Sequence, residues 1–118
     1  MSQKSTDINV HVELDENNVP GDMHWSATDG PDHQACKAFM LSVWDEKDGG
    51  TLRVDLWNKD MMVDEMKQFF YQSLMTMADT FERATGEKAM ASEMRDFGGY
   101  FGEHMGLPVG KDQDPPVE

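Results

Sequence analysis

The sequence predicts an α+β fold: a small antiparallel sheet of three or four strands, packed on one side by two long antiparallel C-terminal helices. Three observations predict it. Apolar and polar residues alternate strictly from position 8, and again from position 52. From position 63 onward, apolar residues instead recur every third or fourth position. Glycine, proline and asparagine cluster at the junctions between these stretches. A period of two places side chains on alternate faces of a strand, and a period near 3.6 gathers them on one side of a helix.

The first strand is read from Ile8, Val10, Val12 and Leu14, which alternate with Asp7, Asn9, His11 and Glu13. β-branched residues in that rhythm mark a half-buried strand. Asn17, Asn18, Pro20 and Gly21 then supply a turn. Met23, Trp25 and Ala27 alternate with His24 and Ser26 as a second strand, closing a hairpin. Gly30 and Pro31 punctuate again. The next segment supports two readings. Ala35 to Leu41 are mostly good helix formers and only Val43 is β-branched, so a short helix is expected over 31–44 with Pro31 in its first turn. The alternative is a strand that pairs with the segment after it. Lys47 to Gly50 is a loop, and Leu52, Val54 and Leu56 alternate with Arg53, Asp55 and Trp57 as a further strand.

The first long helix is expected from Asp60, whose carboxylate suits an N-cap, with Asp64 and Glu65 at the positive end of the dipole. Its apolar stripe is Val63, Met66, Phe70, Leu74, Met77, Phe81 and Ala84, expected to form the main core, and Thr85-Gly86 stops it. The second helix runs from about Glu87 to Met105, with Met90, Met94, Phe97, Phe101 and Met105 on one side. Gly98, Gly99 and Gly102 interrupt it, which implies close backbone approach to a neighbour. Gly106 and Pro108 end it. The expected organisation is a flexible N-terminus (1–6), one domain (7–106) and a disordered acidic tail (107–118).

The chain carries 23 acidic and 10 basic side chains, a formal net charge of −13 over 118 residues. Nucleic acid and anionic membranes are therefore poor partners, because phosphates meet repulsion over most of the surface. Cys36 is the sole cysteine, so an intramolecular disulfide is impossible. Met1 to Asp7 is polar, and no stretch approaches the run of about 18 apolar residues that spans a bilayer. A cytoplasmic location is expected.

No motif for catalysis, cofactor binding or metal binding is assigned. Gly49-Gly50 lacks the lysine and the strand–turn–helix setting of a phosphate loop. Asp45 to Leu56 fails as a calcium loop, because Lys47, Gly49 and Leu56 stand where oxygen ligands belong. Asp15, Glu16, Asn17 and Asp22 are oxygen-rich, yet Pro20-Gly21 makes them an ordinary turn. His33 and Cys36 are half a zinc site with no second half, and His11, His24 and His104 lie scattered over three elements. Cys36 has no basic flank to activate it and reads as a core filler. The acidic pairs are too abundant for any one to signal acid–base chemistry. Most of the 11 methionines, Met66, Met77, Met90 and Met94 among them, fall on the helical stripes and read as core, and Trp25 and Trp44 sit in apolar registers and read as structural.

Trp57 stands apart. It lies on the polar side of its strand beside Arg53 and Asp55, where a tryptophan is either covered by another element of its own chain or anchors an interface. Asn9, His11, Glu13, His24 and Ser26 share the polar side of the first hairpin. Trp57, Arg53, Asp55, His11 and His24 are therefore the candidate interaction residues, on an outer sheet face that meets a protein partner or a second copy.

Several blocks occur in fixed order: Val12 to Asn17, His24 to Ala27, Leu41 to Asp45, Thr51 to Asp60, Val63 to Met66 and Met75 to Gly86. Together they make residues 7 to 105 resemble the GldC family of gliding-motility proteins. The resemblance implies a cytoplasmic accessory component of bacterial surface gliding, without catalytic residues that transfer to this chain. The expected function is thus a non-enzymatic adaptor acting through protein contacts. An export-chaperone-like module that binds client chains is the first alternative, and an uncharacterised enzyme the second.

Overall fold

A computed structural model describes residues 3–108. The chain divides after Met61 into two compact units, one of strands and one of helices.

The first unit holds five strands: β1 (Ile8–Leu14), β2 (Pro20–Ala27), β3 (Gln34–Cys36), β4 (Ala38–Asp45) and β5 (Gly50–Trp57). They form two antiparallel sheets, β1-β2-β3 and β4-β5, rather than one sheet of three or four strands. The helix expected over 31–44 is absent; the alternative holds, with β3 and β4 in the segment and β4 paired to β5. Its helix propensities differ from those of strand formers by only tenths of a kcal/mol per residue. Pairing overrides them: Phe39 faces Leu56, Leu41 faces Val54 and Val43 faces Leu52, so the period-two pattern of β5 finds its match in β4. His33, in the left-handed region at φ 52°, interrupts any helix that starts at Pro31.

Both hairpins are set by an aspartate. In the β1–β2 turn, Asp15 Oδ1 accepts from the backbone N–H of Asn17 at 2.8 Å and of Val19 at 3.0 Å, and Asn18 adopts φ 63°. Those two bonds hold the Asp15 carboxyl below its ordinary value. In the β4–β5 turn, Asp45 Oδ2 accepts from Asp48 N–H at 2.8 Å, and Gly49 takes the left-handed conformation that reverses the chain. In the first sheet, Ile8, Val10 and Val12 stand opposite Ala27, Trp25 and Met23, and a register shift follows Val12. Met23 is buried, but Ile8, Val10 and Leu14 remain exposed, so β1 is less covered than its alternation implies.

Asn58, just past β5, is buried and ties the unit together. Its backbone N–H donates to the Lys37 carbonyl at 2.9 Å, and its Nδ2 donates to the Gly21 carbonyl at 2.9 Å. Its Oδ1 accepts from Asp60 N–H at 3.1 Å.

The second unit is a helical pair, α1 (Val63–Thr85) and α2 (Lys88–His104). Asp60 does not cap α1. The helix begins two residues later, with Met62 as N-cap, and Glu65 reaches back to accept from Met62 N–H at 2.9 Å. Gly86, at φ 76°, closes it by donating to the Glu82 carbonyl. The helices run antiparallel, since Arg95 meets Asp79 and Glu82 while Gly98 lies against Met75.

The seam between them is built on small residues. Ala78, Ala91, Gly98 and Gly102 are buried, together with Tyr71 at 2% exposure. This corrects the expected core stripe: Phe70 is 43% exposed, and Val63, Met77, Met90 and Phe97 are exposed as well. Small residues let the helix axes approach, which carries the larger apolar side chains to the flanks. Of the tail expected over 107–118, positions 109–118 lie outside the described residues.

Candidate interaction surface

The β4–β5 ribbon has two chemically different faces. Its register places Ala38, Met40, Ser42 and Trp44 beside Trp57, Asp55, Arg53 and Thr51 on one face. The centre of that face is a hydrogen-bonded polar group. Arg53 Nε and Nη2 donate to the two Asp55 carboxylate oxygens at 3.2 and 2.9 Å, and Nη1 donates to Ser42 Oγ. The partners are about half exposed, so the pair contributes only about 0–1 kcal/mol to stability. Its effect is to fix a charge-neutral patch. A tryptophan stands toward each end, Trp57 at 57% and Trp44 at 68% exposure. The two are six residues apart along the ribbon, roughly 20 Å at the strand rise.

Trp44 was expected to be structural, and its exposure overturns that. Its strand partner is Thr51 rather than an apolar residue, and its face is the polar one. The clue lay in the segment read as a helix, where no face could be assigned correctly.

His11 and His24 belong to the other sheet. They stand directly opposite each other in β1 and β2, with rings stacked at 4.8 Å between centroids and 22° between planes. The His33 ring meets His24 edge-on at 4.3 Å, and His11 Nε2 lies 3.5 Å from Glu13 Oε2. A row of three imidazoles results, which the sequence pattern did not reveal because His33 arrives through a loop. The candidate residues thus divide into two groups: Arg53, Asp55 and Trp57 on the ribbon, and His11 with His24 on the three-stranded sheet. Among the described residues, no three His, Cys, Asp or Glu side chains are placed to hold a metal ion. His33 and Cys36 do not share a helix face, because Cys36 lies in β3. Burial pushes the Cys36 thiol up, which opposes thiolate chemistry.

Open depressions occur among the described residues of the helical unit. One, of about 410 Å³, is lined by Asp79, Glu82, Arg83, Gly86, Lys88 and Arg95. Arg95 Nη2 donates at 2.8 Å to both Asp79 Oδ1 and Glu82 Oε1, clasping α2 to α1. The hydrogen bond from Arg95 holds the Glu82 carboxyl below its ordinary range. These charges satisfy one another. The second depression, of about 370 Å³, is lined by Leu74, Met77, Met90, Glu93, Met94 and Phe97, and is mainly apolar.

Paired strands followed by a helical hairpin, with aromatic and methionine side chains exposed and charged clusters that neutralise themselves, define a small α+β protein. No described helix is long and apolar enough to cross a membrane. The family model described as gliding motility-associated protein GldC-like matches residues 20–107, from the start of β2 to just beyond α2. The chain belongs to this GldC-like family. The match contains the whole ribbon and the helical pair, and leaves β1 with His11 outside it. No curated protein and no solved structure matches the chain.

Proposed function

We propose that the protein is a non-enzymatic, cytoplasmic accessory or adaptor of gliding motility that works through protein contacts. The polar face of the β4–β5 ribbon is its contact surface. The observation that carries this reading is the pair of exposed tryptophans, Trp44 and Trp57, flanking the preorganised Arg53–Asp55–Ser42 group. Tryptophan buries a large area at low entropic cost and is enriched among residues that dominate binding energy. A polar centre with satisfied hydrogen bonds adds register without leaving a charge unpaired. The family membership supplies the biological setting.

A second reading is favoured by one observation. The methionine-lined depression of the helical pair presents an adaptable apolar surface of the kind that accepts varied client segments. Affinity capture from native gliding cells separates the two. Recovery of one stoichiometric envelope component, lost on Trp57→Ala, supports the adaptor. Broad recovery of unfolded chains, lost instead on Met77→Glu, supports the chaperone-like module.

A further inference from the structure

The outer face of α2 combines aromatic rings with unpaired charge. Ala91, Gly98 and Gly102 give one side of the helix to the seam with α1. The opposite side carries Glu93, Asp96, Phe97, Tyr100, Glu103 and His104, at the three- and four-residue spacings of a single helical face. Phe97 and Tyr100 are 53% and 55% exposed. Their ring centroids lie 5.9 Å apart, and the His104 ring lies 4.0 Å from that of Tyr100. His104 Nδ1 is also 3.2 Å from the Tyr100 carbonyl oxygen, which steadies this ladder of rings. Glu93, Asp96 and Glu103 border the ladder and are exposed. None of these carboxylates has an ion-pair or hydrogen-bond partner among the described residues, whereas Asp79 and Glu82 of α1 are both bound by Arg95.

We propose that this face binds a basic segment of a partner protein, with arginine or lysine side chains lying over the aromatic ladder. Charge selects that occupant. Unneutralised carboxylates resist burial against any surface that brings no cation. Acidic side chains outnumber basic ones in both compact units, and the whole chain carries −13. Counter-charge is therefore scarce within the chain and in a second copy of it, and a cationic partner supplies it.

The rings fit the same occupant. The negative faces of Phe97 and Tyr100 attract guanidinium and ammonium groups. The aliphatic stems of arginine and lysine cover exposed ring surface while their charged heads reach the carboxylates at its border. Glu93 to Glu103 spans roughly 15 Å along the axis at the helical rise. An extended segment with arginine at alternate positions sets three cations over about 13 Å, close to that span. Arginine suits the face better than lysine, because its planar group stacks on a ring and bonds a carboxylate through two N–H groups. Rings already held in a ladder lose little freedom on binding. This inference concerns α2 and does not depend on the adaptor reading.

Titration of the full chain with the peptide Gly-Arg-Ser-Arg-Ser-Arg-Gly, followed by amide chemical shifts, tests it. Saturable shifts concentrate at positions 93–104. Tyr100→Ala lowers affinity about two- to fivefold although it leaves the charge unchanged. The double variant Glu93→Gln/Glu103→Gln lowers it by about the same factor. Glu16→Gln/Glu46→Gln removes equal charge from the strand unit and has little effect. The matching lysine peptide binds more weakly, and a glutamine peptide does not bind. Three results overturn the proposal: no saturable shifts on α2, a Tyr100→Ala variant that binds like wild type, or equal losses from the two double variants, which marks diffuse attraction to an acidic protein. Circular dichroism checks the helix in each variant. If Tyr100→Ala loses it, Tyr100→Leu, which keeps apolar bulk and removes the ring, makes the same comparison.

Discussion

Asn58 Nδ2 donates a 2.9 Å hydrogen bond to the Gly21 carbonyl, joining residues 37 apart in sequence. This bond links the end of β5 to the start of β2, and so connects the two sheets of the strand unit. With Asp60 N–H on its Oδ1, the buried side chain satisfies polar groups from both segments. Asn58→Ala leaves the Gly21 carbonyl and the Asp60 N–H without these partners. The expected cost is about 1–3 kcal/mol. All three tryptophans, Trp25, Trp44 and Trp57, lie in the strand unit, so denaturant unfolding followed by tryptophan emission reads this loss directly.

The helical unit answers to a different residue than the apolar stripe implies. Tyr71 is buried whereas its neighbour Phe70 is 43% exposed. Tyr71→Ala should cost about 3–5 kcal/mol, the range for removing a buried aromatic ring, and Phe70→Ala clearly less. Unfolding followed by far-ultraviolet circular dichroism at the helical signal compares them. Equal losses for the two variants contradict the seam described here.

Adjacent glycines in α2 make an internal control. A Cβ on Gly98 meets Met75 Sδ at 2.5 Å, but one on Gly99 meets nothing within 4 Å. Gly99→Ala should therefore stabilise by up to about 1 kcal/mol, the helix-propensity gain. Gly98→Ala should give no such gain, because Met75 has to move aside. Thermal melts of the two variants decide it.

How far these features were legible follows from their physics. β1, β2, β5 and both helices follow from side-chain periodicity, because each alternation or stripe reflects one element's own geometry. β4 did not, because Ala38 to Leu41 are good helix formers and only pairing with β5 makes them a strand. The exposure of Trp44 was lost with it. Tyr71 was missed because the seam follows the small residues Ala78, Ala91 and Gly98 rather than the largest apolar ones. Asn58 carries no periodic signal at all, since its role depends on a carbonyl 37 residues away. Trp57, Arg53 and Asp55 were placed on one face by the period of two, and the register of the ribbon puts them there.

Asp15 gives the strand unit an acid sensitivity of defined sign. Hydrogen bonds from Val19 and Asn17 lower its carboxyl below the ordinary value of 3.8. A group lowered by folding contributes its full stability above the unfolded value and loses it as pH falls through the folded value. Stability should therefore decline on acidification below about pH 4, and more steeply in wild type than in Asp15→Asn. Tryptophan-detected melts across that range supply the comparison.

In the adaptor reading, Trp57 and Trp44 anchor a protein partner without supporting the fold. Affinity capture from native gliding cells, using wild type and Trp57→Ala with the melting temperature of each measured in parallel, tests it most directly. One stoichiometric partner is expected for wild type, with affinity lowered by about 2 kcal/mol or more in Trp57→Ala and melting unchanged. Retention of the same partner at full affinity by Trp57→Ala, or a melting temperature that falls steeply in that variant, would contradict it.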